Sequence, residues 1–464
     1  MFELSCEKLV SLMIIGLMLA GCLQSPPDLD GDGIADSEDS DLDGDGWDNL
    51  VEEECKSDPM DSENVSDDLD GDSICDLLDD DIDGDGWMNN YEIECNKNAM
   101  SNESFPKDTD DDGICDNIDV DADGDGWMNN YEIECKVEYL NNSSFPDDID
   151  EDGICDNIDE DSDGDGLFNN WEIERGLNPL DFNDYLVCHG ETYFCQRTYD
   201  NFTFPATHNS FATFGDGVVA GVNHYSGLED QWNNGIRAFL VDVYHKSYEE
   251  TNPEDIRFCH GTTSFFHPCQ FGEVDAYEWL NNLTSLLNNS SGEVVTIFLE
   301  NYVSGEHLEI LFNDTGILER AYSKNLNEEW PDIGDMILDG KDIVIFYQYQ
   351  YENNFSWMNH AWTHSWDTPW DMRDIDDLTC ELGRGDGTQQ VWSMNNWINS
   401  KYGFADPENS RIVNDYDFLL DRAISCWEKV GKRPTIIAVD YWEEGNLTDV
   451  TETLNYMENW DLRI

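Results

Sequence analysis

The pattern of hydrophobic and polar residues divides this 464-residue chain into three stretches. It begins with one apolar run, Leu9 to Ala20, that is too short to cross a bilayer as a helix. Between residues 28 and 184 apolar runs are almost absent, which predicts a segment without a conventional hydrophobic core. From Tyr185 onward apolar runs of strand length return, and they alternate with helix-like stretches.

The apolar runs of the last stretch predict a parallel α/β sheet. The strand-like runs are Phe202–Ala206, Gly235–Tyr244, Ile256–Cys259, Val294–Leu299, Asp342–Tyr347 and Thr435–Val439. Helix-like stretches, such as Val274–Leu287, separate several of them. Strands that alternate with helices over this length indicate an α/β domain, a TIM-type (β/α) barrel, that covers residues 185–464.

Reactive polar side chains stand at the ends of five of these runs. In chain order they are His208, Asp242, His260, Glu300 and Asp440. The carboxyl ends of barrel strands meet at one face, and that face carries the active site in barrel enzymes. Two histidines with carboxylates on neighbouring strands therefore predict an acid–base site rather than isolated core residues.

A period of 40 residues dominates the middle stretch. The segment Asp81–Glu92 recurs as Asp121–Glu132 and Asp161–Glu172, and Asp41–Glu52 is its first copy. Each copy has oxygen-bearing side chains at positions 1, 3, 5, 9 and 12 and glycine at position 6, which is the spacing of an EF-hand loop. The predicted calcium ligands are Asp41, Asp43, Asp45, Asn49, Glu52, Asp81, Asp83, Asp85, Asn89, Glu92, Asp121, Asp123, Asp125, Asn129, Glu132, Asp161, Asp163, Asp165, Asn169 and Glu172.

A second, similar loop lies ahead of each copy, beginning at Asp28, Asp68, Asp108 and Asp148. Tandem loops without long helices between them resemble thrombospondin type-3 and related bacterial calcium repeats. The resemblance implies an irregular array, residues 28–184, that wraps around rows of ions and has little regular secondary structure. A disordered acidic stalk is the alternative, but it would not keep glycines and carboxylates in phase. One loop has Ser73 in place of glycine, which predicts a weaker site.

The charge of the chain excludes nucleic acid as a partner. The formal net charge is -82, whereas phosphate recognition requires a basic surface. Of the 104 acidic residues, 56 lie between residues 28 and 184, together with only 5 of the 22 lysines and arginines. This middle stretch therefore requires counter-ions, which bound Ca²⁺ would supply.

The beginning of the chain indicates export. The sequence Leu19-Ala20-Gly21-Cys22 follows the first apolar run and resembles a lipobox. The resemblance implies a signal peptide of residues 1–21, a lipid on Cys22 and a tether of residues 22–27. We therefore expect a membrane-anchored lipoprotein on the cell surface, either extracellular or periplasmic. An ordinary signal peptide with a chance cysteine is the alternative.

The cysteines predict a disulfide framework. The chain has 14 cysteines, and an even number remains in the exported part once Cys6 and Cys22 are set aside. Spacing alone does not fix the pairing. The pairs that we expect are Cys55–Cys75, Cys95–Cys115, Cys135–Cys155, Cys188–Cys195, Cys259–Cys269 and Cys380–Cys426.

Five motifs, in order, give the last stretch a specific resemblance. They are Phe204–Ser210, Gly235–Asp242, Cys259–Gly261, Phe298–Asn301 and Ala438–Tyr441. Together they resemble the X region of phosphatidylinositol-specific phospholipase C, and most closely the smaller secreted phospholipase C-like phosphodiesterases. The resemblance covers roughly residues 196 to 450. It implies a barrel that cleaves a phosphodiester in the headgroup of a phospholipid or glycolipid.

The resemblance also implies roles for individual residues. His208 and His260 match the two catalytic histidines, and Asn209, Asp242 and Glu300 match three calcium ligands of the eukaryotic-type enzymes. Those enzymes have a further acid two residues before the aspartate, where this chain has leucine. Metal-free bacterial enzymes have an arginine at the position of Asp242. We therefore expect calcium-assisted catalysis with one ligand missing.

Weaker signals concern substrate contacts. Arg384 and Asp440 are candidate substrate-binding residues. A tryptophan-rich segment between residues 357 and 370 could form either a rim that touches lipid headgroups or a buried helix face. A surface adhesion or binding protein that has lost activity remains the alternative to an enzyme. A glycerophosphodiester phosphodiesterase would usually show a second carboxylate near the first strand, which is missing here.

Overall fold

The computed structural model describes residues 26–247, 249, 251–261, 266–353 and 355–458, and the account below concerns these residues. The chain forms two compact units, one that ends at Asp147 and one that begins at Asp148. The predicted signal peptide and Cys22 lie outside the described residues. Among the residues described, no helix combines the length and the apolar character that a membrane span requires.

The first unit consists of acidic loops and three short helices. The helices are α1 (Asn49–Cys55), α2 (Asn89–Glu94) and α3 (Asn129–Cys135). Each begins at the ninth residue of a 12-residue loop and buries the glutamate at the twelfth position. Cystines are among the few buried apolar groups, and the expected pairs Cys55–Cys75 and Cys95–Cys115 are confirmed. Cys135 of this unit is disulfide-bonded as well.

Glycine is required where neighbouring loops touch. A Cβ atom on Gly84 would lie 2.5 Å from Oδ2 of Asp70 in the loop ahead of it, so only glycine allows this approach. The same contact recurs at the equivalent glycines of the other repeats. Ser73 adopts the left-handed φ of 75° that glycine adopts elsewhere, at a cost of about 1 kcal/mol. Its N–H still reaches Asp68, so the loop keeps its shape.

The second unit contains the remaining helices and every strand of the described chain. The strands are β1 (Phe204–Thr207), β2 (Ala238–His245), β3 (Ile256–Phe258), β4 (Val274–Asp275), β5 (Val295–Asn301), β6 (Ala321–Tyr322), β7 (Ile343–Tyr347), β8 (Asn359–His360), β9 (Ser365–Asp367), β10 (Val391–Asn396) and β11 (Ile436–Val439). The helices are α4 (Asn169–Arg175), α5 (Leu228–Asn233), α6 (Ala276–Asn288), α7 (Gly305–Asp314), α8 (Ile317–Arg320), α9 (Ile333–Leu338), α10 (Ala361–His364), α11 (Pro407–Val413), α12 (Tyr416–Val430) and α13 (Leu447–Tyr456).

The main sheet is parallel and curled, which confirms the predicted α/β class. Its strand order is β6-β7-β5-β2-β1-β11-β10-β9, with β8 also beside β7. Helix α10 leads directly from β8 to β9, so the chain itself connects the two ends of the sheet. No ladder of hydrogen bonds joins those ends within the described residues, so the predicted barrel is open at this point.

One run that was predicted to be a parallel barrel strand forms an antiparallel strand instead. The run Ile256–Cys259 forms β3, which is antiparallel to β2 and pairs with β4 outside the parallel path. Strands β4, β6, β8, β9 and β10, in contrast, were not predicted, and β4 occupies the start of the stretch predicted to be helical from Val274. The alternation of Trp392 and Met394 with polar residues in β10 is the signal that could have revealed that strand.

Successive side chains along each strand point to opposite faces of the sheet, and they belong to two separate apolar cores. Residues such as Phe239 and Val241 face the surrounding helices and pack with Leu280 of α6. Residues of the opposite parity, such as Ala238 and Phe298, fill the interior of the curled sheet. Each large apolar side chain buried in these layers contributes about 1.5–3 kcal/mol. The interior positions end in polar side chains at the carboxyl ends of the strands, where the site lies.

The fourth repeat packs on the barrel within the second unit. Trp171 of α4 is buried, and its indole Nε1 donates to Asp332 at 3.0 Å. Arg175 stacks on the Trp171 ring and pairs with Asp335 at 2.7 Å. A Cβ atom on Gly334 would lie 2.5 Å from Trp171, which shows how closely the two parts pack. The unit boundary therefore precedes the change in composition near residue 180 by one repeat.

Candidate active site

Neighbouring strands deliver the predicted site residues to one end of the sheet. His208 follows β1 and Asp440 follows β11, and these two strands pair in parallel up to the preceding residues. Asp242 of β2 stands opposite Glu300 of β5 in the register of the next pair. The structure thus brings together four of the residues that the sequence placed at strand ends.

His208 and Asp440 form a hydrogen-bonded dyad. His208 Nδ1 lies 2.9 Å from Asp440 Oδ1, and this carboxylate is only 1% exposed. Because an ionised carboxylate only accepts, Nδ1 carries the proton and Nε2 keeps its lone pair. The imidazole ring stacks on Trp397 with a centroid separation of 4.2 Å and an angle of 5°. The dyad therefore fixes both the tautomer and the plane of His208.

Asn209 has a strained backbone beside the dyad. Its φ of 51° lies in the left-handed region, which costs about 1 kcal/mol for a residue other than glycine. Its side chain is buried, and Nδ2 lies 3.2 Å from His208 Nε2. Since Nε2 holds a lone pair, Asn209 donates this hydrogen bond. The turn thus presents an amide to the same nitrogen that would accept a proton from substrate.

His260 reaches the site from outside the barrel strands. It follows β3, and the confirmed disulfide Cys259–Cys269 anchors the preceding residue. Its Nδ1 donates to the carbonyl oxygen of Gly221 at 2.9 Å, which leaves Nε2 for chemistry. A Cβ atom on Gly221 would lie 2.9 Å from the imidazole, so this contact requires glycine. Burial lowers the pKa of His260, and it outweighs the hydrogen bond to Gly221, which acts in the opposite direction.

Asp242, which is buried, and Glu300, which is half-buried, form an acidic pair. Burial raises the pKa of Asp242 well above its usual value, and the charge of Glu300 raises it further. The Tyr302 hydroxyl donates to Glu300 Oε2 at 3.0 Å. Two facing carboxylates in a desolvated place suit a hard divalent cation, which would stabilise their ionised forms. Leu240 lines the same cavity, so the acid expected there in a full eukaryotic-type set is replaced by an apolar group.

Arg384 supplies the cationic wall of the cavity. Its Nε donates to Asp367 at 2.9 Å and its Nη1 to Gln348 at 3.0 Å, and its guanidinium lies over Trp362. This clamp holds a positive charge beside His208, which is consistent with a contact to phosphate. The cavity is lined by His208, Leu240, Val241, Asp242, Phe298, Glu300, Gln348, Trp370, Arg384 and Trp397.

The tryptophan-rich segment divides between core and surface. Trp357 and Trp366 are buried in the core, but Trp357 lies in a turn and Trp366 in β9, so the predicted helix face is wrong for both. Trp370 is 51% exposed and lines the cavity, as a rim residue would. The segment therefore contributes side chains to the core and to the cavity wall, but the buried tryptophans come from a turn and a strand.

A comparison with protein families agrees with this geometry. The family model described as PI-PLC X 1 matches residues 194–455, which is more than half of the chain. The chain belongs to the PI-PLC X family. Residues 28–184, with the acidic loops, lie outside the matched region.

Two curated relatives share this region, both from the fungus Arthroderma benhamiae. A "PI-PLC X domain-containing protein 1" is 24% identical over 289 residues, which cover 58% of this chain and 90% of that protein. An "uncharacterized secreted protein" is 23% identical over 283 residues. The match covers 56% of this chain and 61% of the relative, so it spans less than two thirds of that protein.

Two solved structures are similar to the second half of this chain at low identity. The phosphatidylinositol-specific phospholipase C from Listeria monocytogenes is 12% identical with a TM-score of 0.39, and the match covers 57% of this chain and 96% of that one. A variant of the enzyme from Staphylococcus aureus is 13% identical with a TM-score of 0.38, covering 60% of this chain and 97% of that one.

Sequence reasoning missed three side chains of this PI-PLC X site. Trp397 stacks on the catalytic-type histidine, Gln348 contacts Arg384, and Asp367 holds that arginine in place. Asp367 is the last residue of β9, and Trp397 directly follows β10. The apolar pattern does not predict either strand. Gln348 follows the predicted strand Asp342–Tyr347 directly, and its position at a strand end could have indicated it.

The acidic loops also show a common geometry. Carboxylate oxygens at positions 1, 3, 5 and 12 of the Asp81 loop are buried without a protein donor, and the Asp121 and Asp161 loops repeat this. Asn89, at position 9, instead accepts from the N–H of Ile82 and donates to the carbonyl oxygen of Asp79. Asn49, Asn129 and Asn169 do the same in their loops. The asparagines therefore close the loops, and the carboxylates point inward.

Proposed function

We propose that the second unit is a cell-surface phosphodiesterase that cleaves the headgroup of a phospholipid or glycolipid. The observation that carries this proposal is the His208–Asp440 dyad, which shares one end of the curled sheet with His260 and the cation-suited pair of carboxylates. The relatives of the matched region include a secreted protein, and the disulfides fit an exported chain.

The proposed reaction is a general acid–base cleavage. A hydroxyl of the substrate attacks phosphorus, and His208 Nε2 takes the proton of that hydroxyl. The Nδ1 proton stays on His208 and remains hydrogen-bonded to Asp440. The bond from phosphorus to the leaving oxygen breaks, and protonated His260 gives a proton from Nε2 to that oxygen. The products are a cyclic phosphodiester and an alcohol. Arg384 binds the phosphate oxygens from the side of the cavity.

Calcium is the proposed cofactor of this site. Asn209, Asp242 and Glu300 would hold it, and when bound it would neutralise negative charge on the phosphoryl group. The donor set fits a hard cation because two of its three side chains are carboxylates in a desolvated place. Leu240 removes a fourth ligand, so we expect weak binding.

Asp242→Asn is expected to raise the calcium concentration for half-maximal activity by at least about tenfold, because it removes one of two ligand charges. The measurement is a calcium titration of phosphodiesterase activity with the full chain. Asp230→Asn is the matched control, since it removes one charge from an exposed acid of α5. Equal calcium dependence in parent and Asp242→Asn would contradict the metal assignment. Leu240→Asp is expected to shift the dependence in the opposite direction.

The direct test of function is cleavage of a small panel of phosphatidylinositol, glycosylated phosphatidylinositol and phosphatidylcholine vesicles, with and without Ca²⁺. We expect release of a phosphorylated headgroup from the inositol lipids. Binding without cleavage under all conditions would favour the alternative of an inactive surface adhesion protein.

The rim of the site is apolar. Large hydrophobic side chains are exposed in the loops that follow five parallel strands of the sheet, and they are Phe214, Val219, Tyr302, Tyr349, Trp370, Tyr402 and Phe404. These residues surround the end of the sheet that carries the dyad. We propose that they contact the lipid surface in which the substrate resides.

The double variant Phe214→Ser with Tyr402→Ser is expected to reduce binding to phospholipid vesicles at least severalfold, because each aromatic ring provides interfacial area. Turnover of a short-chain soluble substrate should stay unchanged. Co-sedimentation with vesicles measures the first quantity and a headgroup-release assay the second. Ile310→Ser is the control, because Ile310 is an exposed apolar residue of the outer helix α7. Vesicle binding equal to that of the parent would refute the proposed contact between these residues and the lipid surface.

The acidic array is proposed to bind structural calcium. The candidate ligands with inward, unpaired oxygens are the carboxylates at positions 1, 3, 5 and 12. Burial raises the pKa of Glu92, Glu132 and Glu172 to about 7, and the charges of the loop aspartates raise it further, which supports a cation as the partner of the ionised forms. A lipid on Cys22 would anchor the chain to the membrane.

A further inference from the structure

A short segment behind the dyad has no part in the reaction described above. Residues 222–226 return from the loop after β1 and are fixed on both sides. The N–H of Asn223 donates to Ala212 at 2.9 Å, and the N–H of Tyr441 donates to Asn223 at 2.7 Å. The Tyr441 hydroxyl donates to the carbonyl oxygen of Val222 at 2.9 Å. These bonds tie the segment to the ends of both strands that carry the dyad.

Two neighbouring side chains of this segment contact both halves of the dyad. Asn223 Nδ2 donates to Asp440 Oδ1 at 2.6 Å, the oxygen that also accepts from His208 Nδ1. His224 Nε2 lies 2.8 Å from the backbone carbonyl oxygen of His208. A carbonyl only accepts, so His224 Nε2 carries a proton and donates. One dipeptide thereby holds the carboxylate of the dyad and the backbone of its histidine.

His224 is a neutral hydrogen-bond donor with a fixed side chain. Its side chain is 0% exposed, and burial lowers its pKa, although Glu443 and Asp440 oppose this shift. Glu443 also anchors the end of the segment, because its Oε1 accepts from the N–H groups of Tyr225 and Ser226 at 3.0 and 2.9 Å. A buried histidine that donates to a backbone carbonyl cannot rotate without losing a hydrogen bond in a place closed to water.

The backbone at His208 needs such support. The next residue, Asn209, has the left-handed φ described above, and a strained turn persists only where its surroundings hold it. A displacement of about 1 Å at a catalytic group can cost about 100-fold in rate. We propose that His224 and Asn223 are positioning residues that hold His208 and Asp440 in their reactive arrangement. This inference rests on the proposed phosphodiesterase function and assigns no contact between these residues and substrate.

The test compares variants of the full chain. His224→Leu removes the donor to His208, and it is expected to lower kcat about 10- to 100-fold while KM changes less than about twofold. His224→Gln keeps an N–H donor and is expected to recover most of the lost kcat. Asn223→Leu, which leaves Asp440 with one donor fewer, is expected to resemble His224→Leu. The matched control is His189→Leu, which removes a histidine with a side chain only 8% exposed, paired with Glu293 at the opposite end of β5.

A second measurement keeps the test independent of activity. The low-field NMR signal of the His208 Nδ1–H proton reports its hydrogen bond to Asp440. We expect this signal to be shifted or lost in His224→Leu and Asn223→Leu and retained in His189→Leu, in folded protein checked by thermal melting. An unchanged signal with unchanged kcat, or equal losses in the His189 control, would overturn the proposal. A parent protein that cleaves no diester would refute the proposed function, while the NMR result would still decide the positioning role.

Discussion

Replacing His208 by alanine is expected to lower kcat for headgroup release by about 100- to 10,000-fold, because the variant loses the group that takes the proton of the attacking hydroxyl. His260→Ala is expected to cause a loss of similar size through the leaving oxygen. Both measurements use the lipid that the parent protein cleaves, in saturating Ca²⁺. Circular dichroism and melting temperature should stay close to those of the parent, since neither imidazole belongs to the apolar cores.

The control for this experiment is His307→Ala. His307 lies in the first turn of α7, outside the cavity, and its loss removes an imidazole without changing the dyad. Near-parental turnover in His208→Ala or His260→Ala would remove that histidine from the mechanism.

The pH dependence of kcat gives a second test of the role of His260. His260 must be protonated to act as the acid, and burial lowers its pKa, so the alkaline limb is expected below the usual imidazole value of about 6.5.

The strand ends explain why so much of this site could be predicted. Apolar runs as long as Gly235–Tyr244 and Val294–Leu299 are buried on both faces, so their strand state and parallel pairing follow from composition alone. Polar residues such as His208 and Glu300 mark the points where those runs leave the core. The site residues therefore stood out as exceptions to an otherwise apolar pattern.

Other features depend on contacts that no local pattern reveals. Strand β3 is only three residues long, and its antiparallel pairing with β2 is decided by the hairpin-like return of the chain. Asn223 and His224 lie in a loop with no periodicity, and their role appears only when that loop packs behind β1 and β11. The short strands β8 and β9 likewise owe their state to the neighbouring strands rather than to their own residues.

Removal of calcium is expected to unfold the acidic unit that ends at Asp147. Its Asp81 and Asp121 loops each bury carboxylates from four positions without a protein donor, and cystines supply much of its small apolar core. Without a divalent ion, the repulsion between these charges opposes compaction. Hydrogen exchange on the full chain measures this locally. Amides such as Gly86 N–H, which donates to Asp81, should be protected in millimolar Ca²⁺ and exchange freely in chelator.

Direct binding gives the corresponding affinities and the sharpest control. Isothermal titration of the chelated full chain should show about eight structural sites, one for each loop. Glu92→Gln is expected to weaken one site at least about tenfold, because the buried glutamate provides the last carboxylate of its loop. Glu94→Gln, an exposed neighbour in α2, should leave that site unchanged. Because calcium must displace protons from groups with raised pKa, affinity should rise with pH up to about 7. Equal protection of the loop amides in chelator and in calcium would show that the array folds without the ion.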